Sequence, residues 1–139
     1  MITRFEISNF KRLQTAELQL GNAAVFIGPN NSGKTTALQA LALWDIGWRR
    51  WAEKRDNSTA SERKGVTINR RDLYSIPVPS ARLLWNDLHT RDTARVEGKQ
   101  STDNVYITLT AEGIHDDKPW SCALEFYYAN EESFYCRLK

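Results

Sequence analysis

Two glycines followed by a lysine and a threonine are the residues of this chain with the clearest chemistry. Gly28 to Thr35 fits the phosphate-loop pattern, in which two glycines bracket four residues and precede a lysine and a hydroxyl residue. Glycine permits backbone angles at which consecutive N–H groups point inward and surround an anion. Lys34 is placed to reach the β- and γ-phosphates of a nucleotide, and the Thr35 hydroxyl to coordinate Mg²⁺. The loop therefore predicts a site for nucleotide phosphates.

The segments on either side of the loop favour this interpretation over an ordinary strand-to-helix turn. The continuous apolar run Ala23 to Ile27 is typical of a strand buried on both faces. After the loop, large apolar residues recur at helical spacing, namely Leu38, Leu41, Trp44, Trp48 and Trp51. The amino end of such a helix adds N–H groups and a positive dipole to an anion site. The predicted phosphate contacts are Gly28, Asn30, Asn31, Ser32, Gly33, Lys34, Thr35 and Thr36.

The rest of the chain predicts mainly antiparallel strands, so the fold class is α/β with α+β character. Phe5 and Ile7 alternate with polar residues, and a second short segment follows, which indicates an antiparallel pair. We expect strands, loop and helix over 1–52, with Gly47 as a break or kink in the helix. An irregular or helical insertion is expected over 53–103, including a mobile loop up to Lys64 and a loop over Arg91 to Asp103. A three-strand antiparallel meander is expected over 104–139.

Composition excludes several classes of protein. The 139 residues are 41% hydrophobic and 26% charged, which suits one compact domain, and the net charge of +2 neither requires nor excludes a nucleic-acid partner. Cys122 and Cys136 are too few for a disulfide framework and are expected to be reduced strand residues. The absence of a secretory segment and of an apolar run of about 20 residues predicts a cytoplasmic protein without a membrane span.

The order of the elements separates the classes of phosphate-loop protein. Kinases and simple GTPases continue from the loop helix into parallel strands, whereas antiparallel strands flank this helix on both sides, as in one lobe of an ABC-type ATPase. The segments Phe5 to Leu13 and Val25 to Thr36 resemble the N-terminus of the SMC/RecF-like ATPases and of the OLD (overcoming-lysogenization-defect) nucleases. The resemblance covers residues 1 to about 45 in sequence and is architectural beyond them.

This resemblance implies an ATP- and Mg²⁺-dependent head that dimerises, with itself or with a partner ATPase chain. It also implies work on DNA in repair, chromosome maintenance or phage defence. Similar ATPases place a basic residue near the nucleotide in the turn after the first strand, where this chain has Lys11 and Arg12. A solvated turn is the competing interpretation of these two residues.

The sequence also departs from the family pattern. There is no Leu-Ser-Gly-Gly-Gln signature and no strand ending in Asp-Glu; Leu83 to Asp87 comes nearest, but it follows a predicted helix cap and is discounted. Gln100 lies in a predicted loop and is a poor candidate for a metal-binding glutamine. We therefore expect the first lobe of a larger ATPase, with catalytic residues unknown and almost no turnover by this chain alone. The alternatives are a non-hydrolysing nucleotide-binding module that assembles with a partner chain and, less favoured, a small kinase.

The helical tryptophans and the basic middle of the chain each have a structural and a functional interpretation. The helical tryptophans could stack on bases, but packing against a sheet is the favoured interpretation. The middle of the chain is locally basic, yet interleaved acidic residues favour a solvated surface. Its basic residues are Arg49, Arg50, Lys54, Arg55, Arg63, Lys64, Arg70 and Arg71.

Overall fold

The computed structural model describes residues 1–29, 33–56 and 65–139, and in these ranges the chain has a mixed α+β fold with one α-helix on an antiparallel sheet. The helix and strands are β1 (Ile2–Phe10), β2 (Leu13–Gln19), α1 (Lys34–Asp56), β3 (Val66–Asn69), β4 (Arg91–Val96), β5 (Lys99–Asn104), β6 (Ile107–His115), β7 (Lys118–Tyr128) and β8 (Ser133–Leu138). Short 3₁₀ turns span Arg70–Asp72, Ala81–Leu84 and Asn86–Leu88. No helix in the described ranges is both long and apolar enough to cross a membrane.

The main sheet has six strands in the order β2-β1-β6-β7-β8-β3, and every neighbouring pair is antiparallel. β1 lies inside the sheet, where Ile7 pairs with Ala16 of β2 and with Leu109 of β6. The predicted N-terminal pair and C-terminal meander are both confirmed. Cys122 and Cys136 are free thiols in β7 and β8, as predicted, and burial raises the pKa of Cys136 to about 12.

Small residues of α1 face the sheet. The buried helix residues are Thr36, Ala37, Ala40, Leu43 and Gly47. The predicted packing of large apolar side chains against the sheet is confirmed for Leu41, Trp44 and Trp51, which are partly buried against the core. Leu38 and Trp48 depart from it, since they are 52% and 39% exposed. A Cβ on Gly47 would lie 2.9 Å from both Phe126 Cζ and Cys136 Sγ. Gly47 therefore allows close helix–sheet approach rather than kinking the helix, which is continuous through it.

Gly47→Val is expected to lower the free energy of unfolding by about 2–3 kcal/mol, because the added methyl groups overpack the contact with Phe126 and Cys136. Gly21→Val is the matched control, since nothing lies within 4 Å of a Cβ at Gly21. Urea unfolding followed by circular dichroism measures both variants. Equal stability of the two variants would contradict this account of the helix–sheet contact.

The predicted buried strand at Ala23 to Ile27 is wrong for this structure. These residues form no strand, and Val25 and Ile27 are 81% and 90% exposed. A strand buried on both faces needs a neighbour on each side and cover above and below. The described sheet supplies neither, because β1, β6, β7 and β8 already have two partners each and β2 and β3 form its edges.

The region expected to be irregular or helical, 53–103, contains more strand than predicted. α1 continues to Asp56, β3 adds the edge strand of the main sheet, and β4 and β5 form a separate two-stranded hairpin. The predicted loop over Arg91 to Asp103 is therefore wrong. All residues of this hairpin are exposed, so it lacks the apolar–polar alternation from which strands are predicted. The predicted mobile loop falls largely on residues 57–64, outside the described residues.

Candidate nucleotide-phosphate site

The loop that is predicted to bind phosphate leads directly into the amino end of α1. Gly28 and Pro29 are described on one side, Gly33 on the other, and Asn30, Asn31 and Ser32 lie outside the described residues. Gly33 is buried and has φ of 88°, a conformation that L side chains rarely adopt. A Cβ there would also lie 3.2 Å from Leu13 Cδ2. The backbone angle favours glycine at this position, and a side chain there would also need Leu13 to shift.

Lys34 is the first residue of α1, and its side chain turns back toward Gly28. Its Nζ donates a hydrogen bond of 2.5 Å to the Gly28 carbonyl oxygen. Helical hydrogen bonding begins beside it, where the Ala37 N–H donates to the Gly33 carbonyl at 2.9 Å. The ammonium group thus lies next to Gly28, at the positive end of a 23-residue helix. A phosphate held there would meet a point charge and unpaired backbone donors together.

The two threonines after Lys34 differ in accessibility. Thr35 is exposed and Thr36 is buried, with 8% of its surface accessible. An accessible hydroxyl next to the phosphate-facing lysine fits the oxygen ligand that Mg²⁺ takes from this position in phosphate loops. A buried hydroxyl is less suited to direct contact with a ligand. Of the two, Thr35 is the residue whose environment fits a metal-bound nucleotide.

The turn between β1 and β2 lies against this loop. Arg12 Cδ is 3.8 Å from the position of a Cβ on Gly33. Lys11 is half-buried, and its Nζ donates to Gln39 Oε1 of α1 at 2.7 Å. Burial lowers the pKa of Lys11. The structure therefore brings both predicted basic residues to the amino end of α1, although their contact with a nucleotide stays a prediction.

Sequence reasoning missed the segment that holds this turn in place. Lys11 has φ of 49°, and its N–H donates to the Leu84 carbonyl at 2.8 Å. Asn86 Nδ2 donates to the Lys11 carbonyl at 2.7 Å. These bonds join residues more than 70 positions apart, with Asn86 and Lys11 separated by 75 positions. No local pattern in the sequence predicts such a contact.

Residues Leu83 to Asp87 form 3₁₀ turns rather than a strand, in keeping with the exclusion of a metal-binding acidic strand there. Asp87 is exposed. Among the residues that the structure describes, no cluster of three or more His, Cys, Asp or Glu side chains could hold a metal ion.

Comparison with known proteins finds similarity over the N-terminal part of the chain. Residues 1–67 match the AAA ATPase domain family. A stretch of 43 residues is 42% identical to an OLD nuclease of Thermus scotoductus, and it covers 31% of this chain and 8% of that protein. No solved structure matches this chain. The two matches support an OLD-like ATPase part at the N-terminus, which confirms the predicted resemblance.

Proposed function

We propose that this chain provides the ATP-binding part of an ATPase that acts on DNA in the cytoplasm, in repair, chromosome maintenance or phage defence. The observation that carries the proposal is the position of Lys34 next to Gly28 at the amino end of α1. ATPase function is supported by the family match over 1–67, and action on DNA by the likeness to a nuclease. Nothing in the described fold duplicates this arrangement of glycine loop, lysine and helix end.

The nucleotide phosphates would be held by the loop backbone, Lys34 and the amino end of α1. Asn30, Asn31, Ser32 and Gly33 would supply loop contacts, and the Thr35 hydroxyl would be a ligand of Mg²⁺. Lys11 or Arg12 would add a positive charge from the neighbouring turn. When bound, Mg²⁺ would neutralise charge on the phosphates.

The antiparallel sheet supports the assignment to one lobe of an ABC-type ATPase, with 1–139 as a partial domain. In such an arrangement the exposed segment Ala23 to Ile27 would lie against another part of the assembly. Its exposed Val25 and Ile27 side chains support this interpretation, because apolar surface of this kind is stabilised by burial. The proposed assembly is a homodimer or a pair with a partner ATPase chain.

A second candidate function is a nucleotide-binding module that does not hydrolyse ATP and assembles with a partner. The lack of an acidic strand at Leu83 to Asp87 favours it for this chain alone. Both candidates predict nucleotide binding, and both predict very slow turnover by the isolated chain. They differ in whether a partner that supplies acidic residues restores hydrolysis.

Calorimetric titration of the 139-residue chain with ATP, ADP and adenosine, each with Mg²⁺, tests the shared part of these proposals. We expect ATP and ADP to bind at least about 10-fold more tightly than adenosine, because the proposed contacts are to phosphate. Phosphate release, measured in parallel, should stay near the uncatalysed rate. Equal binding of adenosine and ATP, or no binding of any of the three, would contradict the phosphate site.

A further inference from the structure

The β4–β5 hairpin forms a sheet of its own, separate from the six-stranded sheet. All residues of both strands are exposed. The strands meet at a tight turn in which Glu97 has φ of 51° and Gly98 has φ of 76°. A lone two-stranded hairpin in water is marginally stable, so a ribbon of this length without a packed face suits a contact surface better than a structural element.

The two faces of the ribbon differ in charge. Side chains alternate along a strand, and directly paired residues lie on the same face. One face, called the arginine face below, consists of Arg91, Thr93, Arg95, Gln100, Thr102 and Asn104. The opposite face consists of Asp92, Ala94, Val96, Lys99, Ser101 and Asp103. The arginine face therefore carries two cations, no acid and no large apolar side chain.

The arginine face continues onto the body of the domain. Arg91 donates to the Tyr128 and Ala129 carbonyls and lies 5.4 Å from the Tyr128 ring centroid. Arg82 lies over the same ring, 5.5 Å from its centroid. Arg82 also forms an ion pair with Glu131 at 3.0 Å. Arg91 is therefore fixed at the base of the ribbon. Arg95 lies further out, with its side chain in solvent.

Three arginines outside the ribbon are held in ion pairs. Arg50 pairs with Asp72 at 3.0 Å, and Glu132 pairs with both Arg70 at 2.9 Å and Arg71 at 3.4 Å. Arg95, by contrast, has no ion-pair partner within the described ranges. An exposed, unpaired arginine on a face without acids is electrostatically complementary to phosphate.

We propose that the arginine face of the β4–β5 hairpin contacts the major groove of double-stranded DNA, with Arg95 as its principal cation. The inference rests on the proposed action on DNA and names the surface that would perform it. A two-stranded ribbon fits the major groove, which is about 12 Å wide. Arginine, glutamine and asparagine are the side chains that pair bidentately with base edges, and threonine bonds to phosphate. Asp92 and Asp103 would keep the opposite face away from the phosphates.

Fluorescence anisotropy of a labelled mixed-sequence duplex of about 20 base pairs tests this surface on the full chain. Arg95→Ala should weaken binding about 5- to 10-fold and reduce the slope of log affinity against log salt by about 1. Arg95→Lys should keep the slope and recover part of the affinity, since it keeps the charge but not the paired donors. Lys99→Ala removes the same charge from the opposite face of the same ribbon and should change affinity less than about 2-fold.

Equal losses for Arg95→Ala and Lys99→Ala would overturn the assignment to one face. Failure of the wild-type chain to bind duplex at low salt would overturn it as well, and so would dimer formation that Arg95→Ala abolishes, since the ribbon would then be a protein contact. ATP titration of the same variants separates this inference from the phosphate site. Arg95→Ala should bind ATP like wild type. A wild-type chain that binds ATP but not duplex DNA would contradict the DNA surface alone, and one that binds duplex DNA but not ATP would contradict the phosphate site alone.

Discussion

Lys34→Ala should weaken binding of Mg²⁺-ATP by about 10- to 100-fold. The wild-type ammonium donates a hydrogen bond to the carbonyl of Gly28, the first residue of the predicted phosphate loop. A charged hydrogen bond to a phosphate contributes about 1.5–3 kcal/mol, and about 1.4 kcal/mol corresponds to a tenfold change in affinity. Isothermal calorimetry measures the loss, and thermal unfolding should show little change because Lys34 lies in the first turn of α1.

Lys118→Ala is the matched control for Lys34→Ala. Lys118 is exposed and is the first residue of β7, opposite His115 of β6 in the strand register. It lies near the beginning of β1, where Ile2 pairs with Gly113. Its removal deletes the same charge from the chain, so it reports any general electrostatic effect on an anionic ligand. The site assignment fails if the two variants lose ATP affinity to the same extent.

Trp85→Ala should lower the free energy of unfolding by about 3–5 kcal/mol, a large part of the stability of a typical domain. Trp85 is 1% exposed and meets Tyr128 and Phe134 edge to face, at centroid distances of 5.9 and 6.0 Å. Its Nε1 donates to the Val105 carbonyl at 2.7 Å. Removing the ring would leave a cavity and an unpaired carbonyl oxygen, and both destabilise the fold.

Two further variants, Trp48→Ala and Trp85→Phe, are the controls for this loss of stability, and urea unfolding measures the free energy of unfolding of all three. Trp48 is 39% exposed and stacks on Trp51, so its loss should cost about 1 kcal/mol or less. Trp85→Phe keeps an aromatic ring but removes the donor to Val105, and it should cost about 1–3 kcal/mol. If Trp48→Ala proves as destabilising as Trp85→Ala, the core does not depend on Trp85 as described.

Trp85 also connects stability to the phosphate site. Its neighbours Leu84 and Asn86 provide the two bonds that hold Lys11 in the β1–β2 turn, and that turn lies against Gly33. Removal of the Trp85 side chain should therefore weaken the hydrogen bonds that hold Lys11 in the β1–β2 turn. In this way the core position of one aromatic residue determines where two basic residues stand relative to the phosphate site.

Local patterns predicted part of the fold correctly. The glycine loop and the start of α1 depend on residues close in sequence, and the alternation in β1, β2 and β6 to β8 reflects one buried face. Long-range packing decided the rest. The helix packs its small residues on the sheet because Phe126 and Cys136 leave no room at Gly47, and a count of large apolar residues cannot detect such a restriction.

The remaining errors have the same origin. The apolar run at Ala23 to Ile27 predicts burial, but burial requires neighbours that the run itself does not specify. The β4–β5 hairpin is held by backbone pairing and by its Glu97–Gly98 turn, so its polar side chains carry no strand signal. At the candidate site, the phosphate-loop pattern of Gly28 to Thr35 stays a prediction, and the roles of Gln39 and Asn86 as supports of Lys11 could not be predicted from sequence.

The interior position of β1 has a consequence for synthesis on the ribosome. Ile7 pairs with Leu109, so one edge of β1 has no partner until about 100 further residues have been translated. At typical elongation rates this delay is about 5–20 s, during which an unpaired edge is open to other chains. Nascent β1 and β2 should therefore depend on chaperone binding until β6 emerges from the exit tunnel.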